Sequence, residues 1–186
     1  MIKHSQSICQ YERINVVGNA KSLLSKNLGK EIDAYPTIRF NHINKLDPIH
    51  QGSRWDYVAC SQIKLINNYG AKPEWHTLIY TNWKSKQDLG YQSTASHGNV
   101  NVIPLDQDLV NHTLSTFKKR PSTGASIMMY LDSLGVQCNI FGFDWKETPS
   151  FYQDERTEKR VNGPHDYEDE RRICLSLIEK NGWTLY

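Results

Sequence analysis

The first apolar run of the sequence ends without the glycine cluster G-x-G-x-x-G: residues 14–19 read INVVGN, with one glycine only. That argues against a dinucleotide-dependent redox domain or a methyl-transfer domain of the same type, because a pyrophosphate needs repeated close backbone approach. Long apolar runs are missing too. No stretch nears the roughly 20 apolar residues that span a bilayer, and the opening MIKHSQSICQYERI is too polar for a signal-peptide core. The expectation is a cytoplasmic chain, at most peripheral to the inner membrane, with no transmembrane segment. Cysteine is scarce: Cys9, Cys60, Cys138 and Cys174 form no C-x-x-C pair, which points to buried free thiols rather than a zinc site or a disulfide framework. Excess charge is absent as well, with 22 basic and 20 acidic side chains. A net charge of +2 gives no reason to expect nucleic acid as a partner.

What is present is an alternation. Ile14 to Val17, Thr37 to Phe40, Tyr57 to Cys60, His76 to Thr81, Val100 to Leu105 and Cys138 to Phe143 read as short strands. Between them, Gln62 to Tyr69, Asp106 to Phe117 and Thr123 to Leu134 carry helical spacing, the second with Leu109, Val110, Leu114 and Phe117 on its apolar face. A last helix is expected over Asp166 to Lys180, with Ile173, Cys174, Leu177 and Ile178 inward and Asn181-Gly182 as its stop, before a final strand in Trp183 to Tyr186. The rhythm predicts an α/β fold, a single Rossmann-like domain over 1–186 with a largely parallel central sheet flanked by helices. The polar stretch Lys146 to Pro164 exceeds the usual length of a structureless connection, which marks it as functional or disordered.

Ligands of open parallel sheets bind beyond the carboxyl ends of the strands. Three such places carry suitable groups. Gly18 permits close backbone approach, and the Asn19 amide both donates and accepts. Asn41 offers the same amide after Arg39-Phe40, and Pro121-Ser122-Thr123-Gly124 opens a helix whose free N–H groups attract an anion. Taken singly, these are a turn, a loop amide and an N-cap.

Taken together, VVGNAKSLLSKNLGKEIDAYPTIRFN resembles the large sialylmotif of glycosyltransferase family 29, the sialyltransferases, with its V-V-G-N turn followed by an R-F-N triplet. RPSTGASIMMYLDSLGVQCNIFGFD resembles the small sialylmotif of that family, and His165 with Glu170 five positions on fits the very small motif. The resemblance spans about residues 14 to 180. It implies a metal-independent GT-A-like variant that moves sialic acid from CMP-sialic acid to a sugar hydroxyl with inversion, using no cofactor and no metal. By position, Asn19 and Asn41 contact the phosphate and ribose of CMP, while Ser122, Thr123 and Gly124 hold the ribose and cytosine end. His165 is the general base with Glu170 as its motif partner, and Tyr152 supports the leaving phosphate. The implied acceptor is a glycan such as lipooligosaccharide or capsule. A donor carrying Kdo, as CMP-Kdo, makes the same nucleotide contacts, and a catalytically inactive CMP-binding module is the alternative from another class. The chain departs from the family in Ala20, where a serine is usual, and in having Ile14, Asn15 and Gly135 where the family places linked cysteines.

One phosphate answers the missing glycines: a mononucleotide needs a single close approach and a few amides. Five residues turn a helix by about 140°, so His165 and Glu170 do not share a helix face. The reading is that His165 precedes the helix and Glu170 folds its carboxylate onto a loop backbone. Asp166, Glu168 and Asp169 are expected as a solvated acidic turn that raises the His165 pKa. Asp144 reads as a structural acid paired with a basic neighbour, with an acceptor contact as its other reading. Trp55, Trp75, Trp83 and Trp145 read as core or rim aromatics.

Overall fold

In the computed structural model the described residues are 8–41, 46–60, 77–80, 101–152 and 163–186. The expected helix at 62–69 lies outside them, as do Trp75, Trp83 and residues 153–162 of the long polar stretch. Seven strands form one sheet: β1 (Ile14–Val17), β2 (Thr37–Phe40), β3 (Tyr57–Cys60), β4 (Thr77–Tyr80), β5 (Asn101–Pro104), β6 (Cys138–Phe141) and β7 (Thr184–Leu185). Their spatial order is β5-β4-β3-β2-β1-β6-β7, and every neighbouring pair is parallel. The chain therefore steps outward from β1 to β5 and then returns to lay β6 against the other side of β1. That reversal puts the topological switch point between β1 and β6, and such sheets take their ligands beyond the strand ends at that point.

All four residues of β1, β2, β3 and β6 are buried, as expected for central parallel strands covered on both faces. One polar pair inside the sheet sets the register. Asn15 on β1 lies opposite Asn139 on β6 and accepts from its amide at 2.9 Å. Asn15 also donates to the Glu31 and Ile32 carbonyls at 3.0 and 2.8 Å, and Asn139 accepts from Arg13. A slip of one residue would strand these buried amides, at a cost of about 1–3 kcal/mol per unsatisfied group.

Helices α1 (Gly29–Asp33), α2 (Pro48–Gln51), α3 (Gln107–Thr116), α4 (Thr123–Leu134) and α5 (Tyr167–Asn181) flank the sheet, and a 3-10 turn spans Lys21–Ser25. Asp106 caps α3 and Asp166 caps α5, each through its carboxylate on the N–H groups of the first turn. Gly135 and Gly182, both left-handed, end α4 and α5. α4 is buried from Ala125 through Leu131 and packs on α5, whose Ile173, Cys174 and Ile178 face the core. On α3, Val110 and Phe117 are buried and Leu109 packs against the core as expected, and one position departs. Thr113 is buried, with its hydroxyl satisfied by the Leu109 carbonyl at 2.7 Å, while Leu114 is exposed. Cys60, Cys138 and Cys174 are buried thiols, but Cys9 is exposed.

Candidate active site

The exits of β1 and β6 interlock backbone to backbone. The Gly18 N–H donates to the Phe141 carbonyl at 2.7 Å, and the Ala20 N–H donates to the Gly142 carbonyl at 3.1 Å. A β-carbon on Gly18 would stand 2.3 Å from the Gly142 oxygen, so the approach that this glycine permits is that of its neighbouring strand. Gly142 answers with φ +65°, a turn glycine adopts without strain.

Around this turn the sequence-predicted groups gather through a chain of contacts. The Asn19 amide donates to the Phe40 carbonyl at 2.9 Å, which brings the β1 exit against the β2 exit beside Asn41. Asn41 itself is left-handed at φ +52°, and its N–H is tied to the Ala59 carbonyl at 3.0 Å. The Phe40 ring meets Phe143 edge-on at 5.7 Å. Phe143 in turn lies over Gly124, where a β-carbon would come within 2.6 Å of the ring. Thr123 and Gly124 open α4 behind the Ser122 cap, whose hydroxyl accepts from the Ala125 N–H.

The start of α5 meets this α4 cap through Glu170. Glu170 is buried and takes the Ser122 N–H on one oxygen and the Ser122 hydroxyl on the other, both at 2.7 Å. The carboxylate has thus folded onto the loop before α4, and His165 does precede its helix. Because the Ser122 hydroxyl already donates to Glu170, it meets any ligand only as an acceptor. Burial pushes the Glu170 carboxyl up to about 7, against the Ser122 hydrogen bonds and with the help of Asp166 and Asp169.

His165 is fixed through its Nδ1, 2.7 Å from the Arg120 carbonyl. A carbonyl only accepts, so Nδ1 carries the proton and Nε2 holds the lone pair in the neutral ring. Glu170 Oε1 is 3.8 Å from the same Nδ1, beyond hydrogen-bond reach. The expectation that the neighbouring acids raise the His165 pKa is overturned. Burial lowers it, and the charges of Arg120 and Lys146 lower it further, against the Arg120 hydrogen bond. The reason lies in where the acids point. Asp166 caps its own helix, and Asp169 is buried, with the Lys118 N–H on one oxygen and Arg172 on the other. Asp169 is therefore no part of a solvated turn.

Residues 144–152 run back over the Gly18–Lys21 segment. Ser150 bridges Ala20, Phe151 N–H donates to the Asn19 carbonyl at 2.9 Å, and Lys21 N–H donates to Pro149. Asp144 holds this stretch in shape, accepting from Ser22 Oγ, the Lys146 N–H, and the backbone and hydroxyl of Thr148. It is a structural acid as expected, but its hydrogen-bond partners are hydroxyls and amides rather than a basic side chain. Tyr152 is exposed; burial, helped by Glu170, raises the Tyr167 pKa, and the Tyr167 ring lies 5.8 Å from His165. Lys146, which sequence reasoning treated only as the first residue of a loop, stands among these groups. Trp145 packs against the core and under the Arg171 guanidinium.

Glu170 supplies a pH test of this geometry. A carboxyl raised to about 7 from its ordinary 4.5 stabilises the fold fully below pH 4.5, and that contribution is lost as pH rises through 7. Urea unfolding from pH 4.5 to 8 should show stability declining relative to a Glu170→Gln variant, which keeps the Ser122 contacts but cannot ionise. Parallel pH profiles would mean that Glu170 is solvated in the folded protein.

No protein-family model matches the chain, and no curated protein is similar to it in sequence. Solved structures are similar to it in fold. A mammalian sialyltransferase superposes with a TM-score of 0.68 at 16% identity, covering 94% of this chain and 68% of its own. The monofunctional alpha-2,3-sialyltransferase Cst-I from Campylobacter jejuni gives 0.63 at 16% identity over 95% of this chain and 75% of its own. The sialyltransferase CstII of the same organism, in complex with the substrate analogue cytidine-5'-monophosphate, gives 0.61 at 15% identity over 95% and 79%. The chain has the Rossmann-like α/β fold that these sialyltransferases share.

Proposed function

We propose that the chain is a sialyltransferase-type glycosyltransferase that moves sialic acid from CMP-sialic acid to a sugar hydroxyl of a glycan, with inversion and without a metal. The observation that carries this reading is His165 with its Nδ1 clamped by the Arg120 carbonyl at 2.7 Å, which leaves the Nε2 lone pair for a proton. A transferase needs this pair of features: amides for a phosphate, and a base with a free lone pair. The shared fold supports it, as do the sequence motifs that supply these residues.

In this mechanism CMP lies across a crevice beyond the ends of β1 and β6, its phosphate on the Asn19 and Asn41 amides, with Tyr152 nearby, and its ribose and base toward Thr123, Gly124 and the Ser122 oxygen. The acceptor hydroxyl attacks the anomeric carbon from the face opposite CMP. Its proton passes to His165 Nε2, and the bond from the anomeric carbon to the phosphate oxygen breaks with its electron pair on CMP. Oriented amides stabilise charge on the departing phosphate without reorganising. His165 touches the reacting atoms and is the catalytic residue. Glu170 is a positioning residue: its two oxygens fix Ser122 ahead of α4.

Calorimetry with CMP tests the nucleotide assignment. Asn19→Ala and Asn41→Gly, the latter chosen because φ +52° suits glycine, should each weaken CMP by about 1.5–3 kcal/mol, the usual value of a hydrogen bond to a charged group. Unchanged affinity in both variants would remove CMP from this crevice.

A further inference from the structure

Lys146 carries three local costs. Its backbone is left-handed at φ +68°, directly after Trp145 at φ +48°, and two consecutive non-glycine residues in that region are held there only by their surroundings. Its ammonium is half-buried, and burial lowers its pKa against the pull of Asp144. Its charge also acts against protonation of His165. Asp144 spends its carboxylate on Ser22, Thr148 and the Lys146 backbone. Meanwhile Lys146 Nζ donates to Ser150 Oγ at 2.5 Å, and Ser150 is the residue bridged to Ala20, one position past Asn19. The cation is thereby held beside the β1 exit, near enough to the base for its charge to act there. Strain, half-burial and a charge opposed to the base are conflicts of the kind that proteins keep where function requires them.

We propose that Lys146 is the cationic contact of the donor phosphate, meeting the nonbridging oxygens of CMP in the crevice and stabilising their charge as CMP departs. This rests on the reading of the crevice as a CMP-sugar site. An ammonium acts on phosphate as a compact point charge, which complements the neutral amides of Asn19 and Asn41 and supplies the positive charge that a metal-free site lacks.

The test compares CMP with cytidine, which has no phosphate, by calorimetry on the full chain. Lys146→Met should weaken CMP by about 10- to 100-fold and leave cytidine unchanged, while Lys146→Arg should stay within about threefold of wild type for both. Wild-type affinity for CMP, but not for cytidine, should also fall with added salt, a measurement that does not depend on any variant folding. Equal CMP affinity in Lys146→Met, or equal losses for CMP and cytidine, overturns the assignment of Lys146 and leaves the site reading standing. Absence of CMP binding by the wild-type protein overturns both.

Discussion

His165→Ala should leave folding and CMP affinity near their wild-type values while lowering the rate of transfer by roughly 10²- to 10⁴-fold, the usual contribution of a positioned base. Binding and chemistry separate because the imidazole is held from outside the nucleotide contacts, by the Arg120 carbonyl. The pH dependence gives a second signature. Only the neutral ring accepts a proton, and burial with the Arg120 and Lys146 charges lowers its pKa from 6.5. The acid limb of the wild-type rate should therefore lie below the ordinary histidine value, and the residual activity of the variant should lack it. His112→Ala is the control, an exposed histidine on α3. Near-wild-type turnover of His165→Ala at saturating acceptor, or a loss of CMP binding as severe as that of Asn19→Ala, would show that His165 is not the base.

Gly18→Ala should damage the whole crevice. The new β-carbon would lie 2.3 Å from the Gly142 oxygen and 2.9 Å from its carbonyl carbon. Both are backbone atoms of a turn already tied to Gly18 and Ala20, so relief requires β1 and β6 to part at their exits. Overpacking of this kind costs about 1–3 kcal/mol, and the separation also displaces Asn19 from Phe40. Urea unfolding should show the loss of stability, and calorimetry should show the loss of CMP affinity. Gly124→Ala should be milder, because its nearest contact is the edge of the Phe143 ring, a side chain rather than backbone. If Gly18→Ala proves no more damaging than Gly124→Ala, the interlock of the two strand exits is not what shapes the site.

The parts of this fold that sequence revealed are those set by continuous burial. β1, β2 and β3 carry their expected bounds because each is a short apolar run buried throughout. The expected sixth strand ran to Phe143, but the ladder stops at Phe141 because Gly142 turns left-handed to meet Gly18. The helices α1 and α2 and the 3-10 turn were not legible, being too short for a helical period. The Asn15 amide holds α1 by gripping the Glu31 and Ile32 carbonyls from β1, and a local cap, the Asp47 carboxylate on the Ile49 N–H, starts α2. Within the site, motif order brought out Asn19, Asn41, Ser122, His165 and Glu170. The direction of the His165 shift was hidden, since adjacent acids are visible in a sequence and burial is not. Lys146 escaped for a related reason: its meaning comes from Ser150 and Ala20, and Ala20 is joined to it only through the fold.

Turnover of a CMP-sugar by this site is the most direct test of the proposed activity. Purified protein of residues 1–186 should be incubated with CMP-sialic acid, and in parallel with CMP-Kdo, in excess chelator and with or without bacterial surface glycans, while CMP release and the glycosylated product are followed. The account predicts CMP release from CMP-sialic acid above the spontaneous rate, faster with a suitable glycan and undiminished by chelator, with the sugar recovered on the acceptor in inverted configuration. Binding of CMP with neither hydrolysis of the donor nor transfer to any glycan would contradict it, and would make the chain a nucleotide-binding module with the fold of a transferase.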